Sequence, residues 1–184
     1  MRASLTAGLA VLFVGLFTLV WAQEPKGGPK VGITFANEPW ILAFDAKDFA
    51  VKQNELESDG RAYLLAENQK TNVTLSVYLE RVPGAATETD CDESQKQRLD
   101  QKVEFKRDMV ATKKAAGMTI VEYTIPEFNG VPVQQRNLFA CLPKDDVYVD
   151  IHLSKVSFKT QDEKLFSDVS DTAHFVQKLS SNAK

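Results

Sequence analysis

Val147-Tyr-Val-Asp-Ile-His-Leu153 alternates without a fault. Val147, Val149, Ile151 and Leu153 fall on one side of an extended chain. Tyr148, Asp150 and His152 fall on the other. A period of two is the mark of a strand with one face on a core. The turn Pro143-Lys-Asp-Asp146 stands directly before it. The strand therefore folds back on the segment Val133 to Leu142, which carries Cys141.

The same pattern recurs upstream. Val73, Leu75, Val77 and Leu79 alternate with Thr74, Ser76 and Tyr78. Trp40 to Phe44, Ala50 to Leu56 and Arg61 to Ala66 read as further strands, with turns at Asp45–Asp48, Ser58-Asp59-Gly60 and Asn68–Asn72. Met118 to Ile125 follows in the second half, and Ala173 to Val176 closes the set. Two helices are expected as covers. The first runs from about Asp92 to Ala116. Leu99, Val103 and Val110 form its apolar stripe, with Phe105 and Met109 beside it. Thr89 or Asp90 caps its start, Lys113 and Lys114 occupy its last turn, and Gly117 stands just past its end. The second is short. It starts at the capping box Thr160-Gln-Asp-Glu163 and buries Leu165, Phe166 and Val169. The expected class is α+β: a largely antiparallel sheet of about six to seven strands with one long and one short helix packed on it.

Residues 1–22 read as an export signal, with Arg2 before an apolar run from Leu9 to Val20 and a cleavage site after Ala22. That run is short for a membrane span. Residues 23–37 read as a flexible leader, 38–176 as one domain and 177–184 as a polar tail. Removing the signal from the 184 residues takes away one basic residue. It leaves 162 residues with 21 Lys and Arg against 25 Asp and Glu. A mild, mixed negative balance gives no electrostatic case for nucleic acid or for an anionic membrane. The expected location is periplasmic or secreted. In such a compartment the chain's two cysteines, Cys91 and Cys141, read as a disulfide. Free thiols or a redox pair are the alternatives, but a C-x-x-C motif is absent.

Little in the chain carries chemistry. It has no G-x-S-x-G, P-loop, H-E-x-x-H or G-x-G-x-x-G sequence. His152 stands beside Asp150 and Tyr148 on the outer face of its strand. It reads as a half-exposed strand residue, with a base or metal ligand as the sharper alternative. His174 lies among Asp171, Thr172 and Phe175. The acidic residues Glu88, Asp90, Asp92 and Glu93 flank Cys91. They lack the spacing of a calcium loop and favour a helix N-terminus. Asp145 and Asp146 read as turn residues. No catalytic residue, cofactor or metal is expected. Asn72-Val73-Thr74 fits the N-glycosylation sequon.

A meander, then a long helix, then three more strands, then a short helix and a last apolar segment resembles the PsbP-like and DcrB-like α/β/α sandwich. Trp40-Ile-Leu-Ala-Phe44, Val73-Thr-Leu-Ser-Val-Tyr-Leu79, Val147–Leu153 and Phe166…Val169…Phe175 carry the resemblance, over residues 38–176. It implies a non-enzymatic exported or organellar protein that binds or helps assemble a larger complex. It carries over no site residue and does not itself imply the cysteine pair. The expected function is an exported, monomeric or weakly associating binding or accessory protein with a protein partner in the envelope or outside the cell. A hydrolase with a site near His152 and a carrier of a small apolar ligand are the alternatives.

Overall fold

The computed structural model describes residues 30–35, 37–58, 60–100, 110–115 and 117–178. Their strands are β1 (Lys30–Ile33), β2 (Trp40–Asp45), β3 (Phe49–Leu56), β4 (Ala62–Asn68), β5 (Val73–Arg81), β6 (Ala111–Ala115), β7 (Met118–Phe128), β8 (Val131–Lys144), β9 (Val147–Lys155) and β10 (His174–Gln177). Their helices are α1 (Glu88–Asp100) and α2 (Glu163–Thr172). Two antiparallel sheets result. One has seven strands in the order β3-β4-β5-β9-β8-β7-β6. The other has three, in the order β1-β2-β10. The α+β class and the antiparallel sheet with two helices are as the sequence predicts.

Strand β9 sits at the centre of the large sheet, and its alternation decides the main core. Val147, Val149, Ile151 and Leu153 are fully buried. They share one cluster with Trp40, Leu42 and Phe44 of β2 and with Phe166 and Val169 of α2. Burying each such side chain is worth about 1.5–3 kcal/mol. The expected single sheet is thus two layers. The apolar run of β2 is buried at four of its six positions, so it serves the core between the sheets and not one face of a meander. Trp40 anchors the join. Its ring meets Phe175 of β10 edge-on at 5.1 Å, and its Nε1 donates to Asp145 Oδ2 at 3.1 Å.

Lys30–Ile33, expected in the leader, forms β1 and pairs with Leu42–Asp45. At the other end Lys178 is tied down. Its backbone N–H donates to the Pro39 carbonyl at 2.7 Å.

The long helix expected over Asp92–Ala116 does not form as such. Helix α1 spans Glu88–Asp100. Val103, Phe105 and Met109 lie outside the described residues. Lys113 and Lys114 stand in strand β6, not in a last helical turn. The reason is visible at Gly117, whose φ is +77°. A helix C-terminus and a tight hairpin both need a left-handed residue. Here Ala115 pairs with Met118, so Gly117 serves a hairpin. Backbone ladder bonds to β7 then outweigh the helix propensity of Ala and Lys, which is small per residue.

Both helix starts differ from expectation in their cap. For α1 the cap is Thr87. Its Oγ1 accepts the Asp90 N–H at 3.2 Å, and Asp90 Oδ2 accepts the Thr87 N–H at 3.0 Å. At α2 a 3₁₀ turn, Thr160–Asp162, comes first. There Asp162, not Glu163, reaches back to the Lys159 N–H at 2.9 Å and also accepts Lys155 Nζ at 2.6 Å.

Candidate functional site

The face of the large sheet turned away from the main core is divided. Over β7 and β8 it is covered by α1, which also reaches Asp150 of β9 through Arg98. Over β3, β4 and β5 no described helix covers it.

The covered half contains most of the residues that looked chemical in the sequence. Cys91 of α1 and Cys141 of β8 form a disulfide, with Cα atoms 5.6 Å apart, and both are buried. Beneath the helix lies a small second core of Val121, Tyr123, Ile125 and Phe139, with Leu99 and Val110 packed against it. Cys141 lies opposite Asp150 in the β8–β9 ladder, and Phe139 lies opposite His152. The His152 ring stacks on Phe139 at 4.0 Å between centroids, and its Nε2 meets Asn137 Oδ1 at 3.2 Å. The Arg98 guanidinium also lies over Phe139, at 4.3 Å, and binds the Asp150 carboxylate. Burial pushes Asp150 above the ordinary carboxylate value; Arg98 opposes that push without cancelling it. Gln95 is buried beside the same carboxylate and, like Arg98, opposes the rise. So His152 and Asp150 share a face, yet each is held by structural neighbours.

The acidic residues around Cys91 are dispersed into separate tasks. Asp90 reaches back to the Thr87 cap of α1 and meets Tyr148. Its hydrogen bonds with Thr87 and then Tyr148 hold its carboxyl below the usual range. The Tyr148 hydroxyl is pushed up to about 12, first by burial and then by its bond with Asp90. Asp92 accepts Lys114 Nζ at 2.8 Å and the Thr119 hydroxyl at 2.7 Å, which lowers its pKa. Among the described residues no group of three or more His, Cys, Asp or Glu could hold a metal ion. Asp145 accepts from Trp40, and Asp146 is bound by Arg81 at 2.8 Å. His174 is exposed, and its Nδ1 donates to the Thr172 carbonyl at 2.6 Å. Asn72 occupies a β4–β5 turn with φ +58°.

The open half holds residues that the sequence reading passed over. Tyr63 of β4 lies opposite Tyr78 of β5, and their rings are 4.5 Å apart. Arg61 lies over the Tyr78 ring at 5.3 Å and pairs with Glu57 at 2.9 Å. Burial, then Tyr78, raises the Tyr63 hydroxyl, and the charges of Glu57 and Glu55 add to the rise. A surface depression of about 380 Å³ beside the pair is lined by Gly60, Arg61, Glu80 and Arg81. The signal for this site was present. A hairpin centred between Lys70 and Thr71 puts position 63 opposite 78. Buried Asn68 fixes that register, since its Oδ1 accepts the N–H groups of Lys70 and Thr71.

Among the described residues no helix is long and apolar enough to cross a membrane. The chain matches no protein-family model, and no curated protein matches it.

Proposed function

We propose that this chain is an exported, non-enzymatic binding or accessory protein that presents a preformed surface to a protein partner. The observation that carries the reading is the uneven division of the outer sheet face. Helix α1 binds Asp150 through Arg98, and His152 is stacked on Phe139, which Arg98 also meets, while Tyr63, Tyr78 and Arg61 stand on the half that no described helix covers. Tyrosine and arginine are the residue types that concentrate binding energy at protein interfaces, because they offer large rigid area with a polar end. The surface is built on strands, so little conformational entropy is lost on docking. Export fits the Cys91–Cys141 disulfide, which persists outside the reducing cytosol. The resemblance to PsbP-like and DcrB-like proteins points to the same class of role.

The test is retention of a partner from the envelope or secretion fraction of the source cell on the immobilised, oxidised protein. One protein should be retained reproducibly and should bind again when both are purified. Retention of nothing above a blank support would count against the reading.

A further inference from the structure

We infer that the open face of β3–β5 is built to receive a basic, Lys- or Arg-containing segment of a partner protein; this rests on the binding role proposed above. The chain supplies its own example of the recognition. Arg61 sits with its guanidinium over the Tyr78 ring at 5.3 Å while a carboxylate, Glu57, pairs with it at 2.9 Å. A cation held over an aromatic face with a carboxylate at its edge is a favourable site for Arg or Lys. The neighbouring Tyr63 offers a second ring 4.5 Å away. Glu55 lies directly opposite Tyr63 in the β3–β4 ladder, so it shares the face. Glu80 follows on the same side of β5, two residues beyond Tyr78, and lines the adjoining depression. Both glutamates are exposed, and neither is among the described ion pairs.

The charges also decide against an anionic occupant. The two arginines of the depression are already neutralised. Arg61 is held by Glu57, and Arg81 by both Glu38 and Asp146. An incoming carboxylate or phosphate would meet Glu55 and Glu80 and find each guanidinium taken. The ends of the sheet decide against strand addition. The ladder of β3 is broken by a shift between Val51 and Gln53, and β6 carries Lys113 and Lys114. Bulges and edge lysines are the usual guards against edge pairing. The partner therefore lies across the face and not along an edge.

The probe is a short oligoarginine peptide, with oligoglutamate as its control, titrated against the oxidised protein and followed by tyrosine fluorescence. Oligoarginine should bind, oligoglutamate should not, and added salt should weaken the binding. The double variant E55Q/E80Q changes only exposed residues, and circular dichroism checks its fold. It should lose about fivefold or more in affinity, and Y63A about the same. Equal affinity of the wild type and E55Q/E80Q would overturn the inference, as would binding of the acidic peptide or of neither. The two readings separate cleanly. If E55Q/E80Q retains an envelope partner as well as the wild type does, the basic-segment inference fails and the accessory role stands. If oligoarginine binding depends on these residues while nothing is retained from the envelope, it is the accessory role that fails.

Discussion

Asp150 on β9 lies directly opposite Cys141 on β8. The helix that Cys141 fastens through Cys91 returns Arg98 to bind that same Asp150. Two attachments from one polar helix thus converge on adjacent strands. Of the α1 side chains only Cys91 and Gln95 are buried.

A helix of 13 residues with so little apolar surface is marginal by itself in water. The disulfide, closing a separation of 50 residues, contributes on the order of 4 kcal/mol in the chain-entropy account. C91S/C141S should therefore lose about 2–4 kcal/mol in chemical denaturation. Hydrogen exchange should accelerate in α1 well before it does in β9. Uniform acceleration across both elements would show that α1 is not a separately released unit.

Asp150 gives a pH signature. Its folded pKa is raised by burial above the ordinary 3.8. The folded state therefore binds the proton more tightly than the unfolded chain does. The contribution of Asp150 is most favourable below about pH 4 and diminishes as pH rises through the raised value. Asp90 and Asp92, whose pKa values are lowered, act in the opposite sense and lose their contribution as pH falls. Relative to the wild type, D150N should be better tolerated at pH 7 than at pH 4 in parallel denaturant titrations. D150A, which leaves Arg98 without its carboxylate, should cost about 2 kcal/mol at neutral pH.

Tyr148 should titrate late. With its hydroxyl raised to about 12, its stabilising contribution persists below the unfolded value of 10.0 and is lost as pH rises through 12. An alkaline absorbance titration should show a component near pH 12 that Y148F removes. D90N should shift that component downward, because the bond with Asp90 is the second cause of the rise.

Asp162 holds both the backbone of Lys159 and the ammonium of Lys155, and both members of the ion pair are nearly buried. D162A should cost about 3 kcal/mol, since it removes a cap and leaves a buried cation. D162N keeps an acceptor for the cap and should recover about 1 kcal/mol of that loss. Equal melting temperatures for the two variants would mean that the cap contributes nothing.

The strands were legible because each bears its own evidence. Val73–Leu79 and Val147–Leu153 alternate strictly, and a one-residue slip would turn every valine and leucine to water. The pairing of β8 with β9 followed from Pro143–Asp146, and the joining of Cys91 to Cys141 from there being just two cysteines in a chain whose N-terminus reads as an export signal. Residues 111–115 were not legible. Ala111-Thr-Lys-Lys-Ala115 has no apolar alternation, and every one of its residues is exposed. Its strand state comes from a ladder to β7 that no local pattern encodes.

Sequence alone thus determined the class and the core face of β9, because these rest on periodicity and turn chemistry, and it favoured the staple that the structure shows. Only the tertiary structure decided that β2 leaves the large sheet to stand opposite it, and that α1 brings Arg98 onto Asp150 and Phe139. The same holds for Tyr63 and Tyr78, which the open half of the face presents as a pair. Those outcomes depend on which surfaces must be buried against one another across long stretches of chain. That choice is made by the sum of packing over the whole domain and not by any single segment.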